Sequence, residues 1–155
     1  MTDGVKEGMT APDFTLESDD DGPVTLSRLR GSRVVLYFYP KDDTPGCTIQ
    51  ACDFRDSRAR FEGVDAVILG VSADDVESHR AFRSKFDLNF PLLADVGGSV
   101  AELYGVLADR MVGGKSRRGI SRSTFLIDEE GVVQRVWRSV DPKGHMEMLA
   151  ELLGA

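Results

Sequence analysis

The chain has 155 residues, of which 41% are hydrophobic and 29% charged, and its formal net charge is −7. That length and balance suit a single domain over residues 1–155 with one core, and they argue against extensive disorder. The acidic excess argues against binding to nucleic-acid phosphates, which relies on clustered Lys and Arg.

The opening residues, Met1 to Thr10, hold no apolar run, so no signal peptide is expected. The longest apolar stretch, Val34 to Tyr39, is far too short to span a bilayer. The expected location is therefore cytoplasmic, with no membrane partner. In a reducing compartment, the two cysteines read as reactive or metal-binding rather than as a permanent staple.

In chain order, Ala11 to Leu16 alternates apolar and polar residues like a short strand. Asp19 to Pro23 forms an acidic turn, and Val24-Thr25-Leu26 returns as the second strand of a hairpin. Val34 to Tyr39 is β-branched and aromatic with no charge, the pattern of a strand buried on both faces. Pro40 ends it. A loop from Lys41 to Pro45 leads into a helix over about Gly46 to Arg60. Ala66 to Val71 is a second buried strand. A helix follows over about Asp75 to Phe86, with Phe82 and Phe86 on one face. Pro91 to Ala94 is a short strand and Ser99 to Tyr104 a short helix. Thr124 to Asp128 and Val132 to Trp137 flank Glu129-Glu130-Gly131 as a hairpin, and a helix over about Lys143 to Leu153 closes the chain.

Strands alternating with helices, then a late hairpin and helix, predict an α/β fold. A mixed central sheet flanked by helices is expected, in a thioredoxin-like β-α-β…β-β-α order with an N-terminal hairpin. Ligand sites in such sheets lie beyond the carboxyl ends of strands. Cys47 falls there, just past the Val34–Tyr39 strand.

The run from Tyr37 to Cys52 carries the chemistry. Cys47 follows Pro45-Gly46 and opens a helix, where free N–H groups and about half a positive charge favour a thiolate. If the target of such a thiolate is an O–O bond, attack also needs that bond held in line and the leaving oxygen stabilised. Thr44 supplies a hydroxyl that donates and accepts. Backbone N–H groups near Gly46 and Cys47 add donors, and Pro40 walls one side without an N–H of its own. Arg122, at the start of the Arg122–Asp128 segment, is the expected cation, brought beside Cys47 by a neighbouring strand. Cys52 lies five residues on. A regular helix puts those Cα atoms ~8.6 Å apart, beyond the ~7 Å limit for a disulfide. The pair can therefore bond only if the first turns unwind.

This run, with Pro-x-x-x-Thr-x-x-Cys at Pro40, Thr44 and Cys47, resembles the peroxiredoxins. The cysteine five residues on narrows the resemblance to the bacterioferritin-comigratory, or Q-type, branch. Ala11-Pro12-Asp13-Phe14, Gly70-Val71-Ser72 and Arg122 to Asp128 extend it over nearly the whole chain. The resemblance implies a thioredoxin fold, no metal or organic cofactor, and reduction of hydrogen peroxide and organic hydroperoxides. Cys47 becomes a sulfenic acid, Cys52 resolves it as an intramolecular disulfide, and a thioredoxin-type or glutaredoxin-type protein recycles it. Pro40, Thr44, Cys47 and Arg122 match the peroxide site. A monomer is expected, with a dimer left open. Gln50 stands where many relatives carry Glu, with no evident consequence for any step.

A protein dithiol-disulfide oxidoreductase is the alternative, although its usual signature is Cys-x-x-Cys. Zinc is disfavoured, because only His79 and His145 could join the cysteines and the spacings fit no compact pattern. His79 is expected on a solvated helix face, His145 near the start of the last helix, and Trp137 in packing. Gly114-Lys115-Ser116 lacks the leading glycine of a phosphate loop. Met111 to Gly119 reads as a mobile basic loop.

Overall fold

The computed structural model describes residues 4–19 and 22–155, with the side chains of 109–112 and 115–118 outside that description. The first strands are β1 (Thr15–Ser18) and β2 (Val24–Thr25), followed by a 3-10 turn at Leu26–Leu29. The centre of the chain contributes β3 (Arg33–Phe38), α1 (Pro45–Glu62), β4 (Ala66–Ser72), α2 (Val76–Phe86), β5 (Leu92–Ala94) and α3 (Ser99–Leu103). Then come β6 (Leu107–Val112), β7 (Lys115–Ile120), β8 (Ser123–Ile127), β9 (Val133–Trp137) and α4 (His145–Leu153).

Seven strands form one mixed sheet in the order β2-β1-β5-β4-β3-β8-β9. The strands β3, β4 and β5 run parallel, while β1 and β8 join antiparallel. This is the expected α/β, thioredoxin-like arrangement, with the strand that leads to Cys47 near the middle of the sheet.

The period of β3 explains the layering. Successive side chains point to opposite faces, so Val34, Leu36 and Phe38 enter one core with Tyr104, Phe125 and Ile127. Val35, Tyr37 and Tyr39 enter the other with Phe54, Phe61, Phe82 and Leu149. That second core is roofed by α1, α2 and α4. Tyr37 stacks on Phe54 with ring centroids 4.9 Å apart.

Capping sets the helix ends. Pro45 occupies the first turn of α1, where its missing N–H costs nothing. Asp75 caps α2 by accepting from the Ser78 N–H, and Asp87 ends it in the left-handed region at φ 52°.

The structure corrects the sequence reading in two places away from the site. The expected loop over Met111 to Gly119 belongs to a hairpin, β6 against β7, with Val112 opposite Lys115. Gly113 and Gly114 both have positive φ, the backbone that a two-residue hairpin turn requires. Near the N-terminus the strand begins only at Thr15 and its partner ends at Thr25, because Leu26 turns into the 3-10 helix; the Leu26 N–H to Phe14 carbonyl bond at 3.0 Å is the last one in register between the two segments.

Candidate active site

The loop from Tyr39 to Thr44 connects the carboxyl end of β3 to α1. Thr44 is the N-cap of α1 with an extended backbone, but its side chain does not cap the helix. Its hydroxyl donates to the Lys41 carbonyl at 2.9 Å. Among the described residues, no acceptor in the chain meets the N–H groups of Gly46 and Cys47. Those donors lie at the positive end of an 18-residue helix, in the turn that carries Cys47.

Cys47 is buried, 1% exposed, and Cys52 is half-buried; both are free thiols. The helix α1 runs unbroken through both. Pro40 is half-buried at the start of the loop.

Arg122 reaches Cys47 through sheet register. Because β8 pairs antiparallel to β3 with Ser123 opposite Phe38, the residue before β8 lies beside the end of β3. Its carbonyl is held by the Val140 N–H at 2.9 Å. The Arg122 Nη2 donates to Cys47 Sγ at 3.3 Å, and Nη1 donates to Gln50 Oε1 at 2.7 Å. Gly46 leaves that approach uncrowded, since a Cβ there would lie 3.0 Å from Arg122 Nη2 and 3.3 Å from Pro142 and would press on both.

Sequence reasoning placed Cys47 and Arg122 together and missed Gln50. The Gln50 side chain is 1% exposed and orients the guanidinium; its Nε2 has no partner. The i, i+3 spacing from Cys47 was the available signal. Thr44 adjoins the site, but its hydroxyl proton is committed to Lys41 rather than aimed at sulfur.

His145 opens α4 and lies close enough to feel Arg122. Burial first, and then the Arg122 charge, push its imidazole down to about 4, so it is neutral at pH 7. Its Nε2 pairs with Thr124 Oγ1 at 2.8 Å. Trp137 packs edge-on against it at 5.9 Å, consistent with the expected packing role. The Tyr37 phenol is pushed well above its ordinary range by burial, followed by the Cys47 and Asp42 charges.

A further correction concerns His79. It was expected on a solvated face but is fully buried, 0% exposed, with Nδ1 2.7 Å from Asp42 Oδ2 and Nε2 2.9 Å from the Leu93 carbonyl. Together with Phe82 and Phe86 it follows i, i+3, i+7 spacing, which marks the inner face of α2. Asp42, Asp74 and His79 bring possible metal-ligating atoms within 4.8 Å of one another. Hydrogen bonds among them and with Tyr39, Ser72, Ser78 and Leu93 occupy both carboxylate oxygens of Asp42, both ring nitrogens of His79 and Oδ2 of Asp74. The cluster therefore reads as a buried polar network.

The chain is similar to known proteins over nearly its whole length. The AhpC/TSA family matches residues 8–136. Peroxiredoxin Bcp of Bacillus subtilis is 49% identical over 142 residues, covering 92% of this chain and 90% of its own. Peroxiredoxin Q, chloroplastic, of Sedum lineare is 43% identical over 150 residues, covering 96% of this chain and 78% of its own. The structure of the Xanthomonas campestris bacterioferritin comigratory protein, studied for alkyl peroxide reduction, superposes with a TM-score of 0.89 at 37% identity, covering 98% of each chain. Peroxidoxin BcpB from Mycobacterium tuberculosis superposes at 0.85 with 37% identity, covering 96% of each. Among the described residues no helix is long and apolar enough to cross a membrane. The chain belongs to the AhpC/TSA family, in its peroxiredoxin Bcp/Q branch of thiol peroxidases, and carries the two cysteines Cys47 and Cys52.

Proposed function

We propose that Cys47 is the peroxide-attacking thiolate, that Cys52 resolves it, and that a thioredoxin-type or glutaredoxin-type dithiol protein recycles the enzyme. The observation that carries this reading is the Arg122 guanidinium 3.3 Å from Cys47 Sγ. A cation there stabilises negative charge on sulfur, and it can also polarise a bound peroxide.

In the first half-reaction the Cys47 thiolate attacks the terminal oxygen of ROOH. The O–O bond breaks, and the leaving alkoxide takes a proton to become ROH or water. Cys47 is left as a sulfenic acid. The uncapped N–H groups of Gly46 and Cys47 face the reacting oxygens, Thr44 offers lone pairs to the peroxide proton, and Pro40 screens the loop side. In the second half-reaction Cys52 sulfur attacks the sulfenic sulfur, an S–S bond forms and water leaves. The ~8.6 Å Cα separation on an intact helix requires the start of α1 to unwind for this step. Disulfide exchange with the dithiol partner restores both thiols. Residues 1–155 act as one domain and as a monomer, in the cytoplasm, on hydrogen peroxide and organic hydroperoxides.

The test is peroxide consumption by wild type, Cys47→Ser and Cys52→Ser, with a thioredoxin recycling system. Cys47→Ser is expected to be inactive, and Cys52→Ser to complete one stoichiometric turnover without recycling. Full recycling by Cys52→Ser contradicts the resolving role. Reduction of insulin disulfides without peroxide consumption would favour the oxidoreductase alternative.

A further inference from the structure

Behind the loop that delivers Pro40, Thr44 and Cys47 lies a buried side-chain network with no part in the chemistry above. Asp42, in the middle of that loop, turns inward. Its carboxylate accepts from Tyr39 Oη at 2.6 Å, Ser78 Oγ at 2.8 Å and His79 Nδ1 at 2.7 Å. Its backbone N–H donates to Asp74 Oδ2 at 2.8 Å, and Asp74 is held in turn by Ser72 Oγ at 2.7 Å. The next residue, Asp43, adopts a positive φ of 59°, in the left-handed region that Asp tolerates better than most non-glycine residues.

We propose that His79, acting through Asp42, is a positioning residue for peroxide reduction: it clamps the loop between β3 and α1 so that Thr44 and Cys47 stand in register with Arg122. This rests on the reading of Cys47 as the attacking thiol.

The clamp's protonation follows from donor and acceptor counting. The Leu93 carbonyl only accepts, so Nε2 carries a hydrogen. The Asp42 carboxylate also only accepts, so a second proton lies between Nδ1 and Oδ2. The pair thus binds one proton more than a neutral imidazole beside a carboxylate. Losing it sets a ring lone pair against oxygen inside the core, and the loop loses an anchor.

The surroundings agree with this count. Burial by itself lowers the affinity of His79 for its second proton. The hydrogen bond and charge of Asp42, with the Leu93 carbonyl and the Asp74 charge, outweigh it, and the net shift is upward from the ordinary value. Tyr39 from the end of β3, Asp42 from the loop, and Ser72 and Asp74 from the end of β4 and the turn after it all surround the ring. Asp19, after β1, is bound to Arg83 and the Leu92 N–H. For a histidine shifted upward, the stabilisation is complete below ~6.5 and is lost as pH rises through the folded value.

Asp42→Asn separates charge from shape. The Asn oxygen can accept from Tyr39, and its amide can donate to a neutral His79 Nδ1, so the network closes without the extra proton. The experiment follows the first loss of Cys47 thiol on rapid mixing with hydrogen peroxide, between about pH 6 and pH 9. The unaltered protein is compared with His79→Ala and Asp42→Asn, with circular dichroism confirming that each is folded. His79→Ala is expected to slow the step by about ten- to a hundredfold. The ratio of the unaltered rate to the Asp42→Asn rate is expected to fall as pH rises above ~6.5. A folded His79→Ala at the unaltered rate overturns the proposal, and so does a flat ratio. The ratio decides the matter if His79→Ala fails to fold. If the unaltered protein loses no Cys47 thiol, the peroxidase assignment of Cys47 falls and the clamp has nothing to position. Equal rates in all three sink the clamp alone.

Discussion

The two halves of α1 are held in different ways. The second half is anchored by large rings and by neighbouring elements. Phe54 and Phe61 are fully buried, with centroids 5.9 Å apart, and Phe54 also packs near Phe90 at 6.3 Å. Arg55 Nη1 donates to the Phe86 carbonyl at 2.6 Å, and Asn89 donates to the Arg55 carbonyl at 3.1 Å. Arg60 pairs bidentately with Glu147 on α4 at 2.8 and 3.1 Å. The first half buries Cys47, Gln50 and Ala51, all of them small or polar. Its N-terminus is uncapped, and Gln50 Nε2 is unsatisfied. Fully exposing a buried Phe costs about 1.5–3 kcal/mol, and exposing Ala51 costs far less. Unwinding from the N-terminus is therefore the inexpensive direction. On the proposed mechanism, one helix would hold Cys47 while it reacts and then release it for Cys52.

Arg122→Met is expected to have the largest effect on chemistry. It should lower the second-order rate with peroxide by about 10²–10³-fold, as loss of a preorganised charge contact does, while leaving the fold intact. Stopped-flow peroxide consumption checks it. An unchanged rate would separate Arg122 from the chemistry.

On the other half of the helix the large effect should fall on stability. Phe54→Ala is expected to cost about 3–5 kcal/mol and Ala51→Gly only about 1 kcal/mol, measured by denaturant unfolding. Equal losses would remove the contrast between the halves.

Gln50→Leu tests the link inside the first half. It removes the 2.7 Å hydrogen bond to Arg122, and the peroxide rate should fall about tenfold, in line with a bond to a charged group. The smallest effect is expected at Arg60→Ala, an exposed pair with Glu147. Peroxide turnover should be unchanged, and the melting temperature should move little.

What could be read from the sequence divides along lines of locality. The run from Tyr37 to Cys52 is contiguous, so strand, loop, helix start and both cysteines were legible from residue pattern alone. Arg122 was legible because it begins a strong strand pattern, and strand pairing supplied the rest. Gln50 looked inconsequential because its partner is distant in sequence and meets it only through the β3–β8 register. His79 was misplaced because a histidine between Ser78 and Arg80 reads as polar, although its spacing from Phe82 and Phe86 points inward. The β6–β7 hairpin was hidden by charge along Asp109 to Arg118. Its signal was confined to Gly113-Gly114, with Leu107 and Ile120 as the apolar pair at its base.

The most direct test of the central claim is hydrogen exchange of α1 before and after one equivalent of peroxide, with peptide mapping of the cysteines. The account predicts a disulfide between Cys47 and Cys52 within one chain. Amides of the first turns through Cys52 should lose protection, while those from Phe54 to Glu62 stay protected. A disulfide formed with the whole helix still protected, or Cys47 oxidised while Cys52 remains a free thiol, would contradict it.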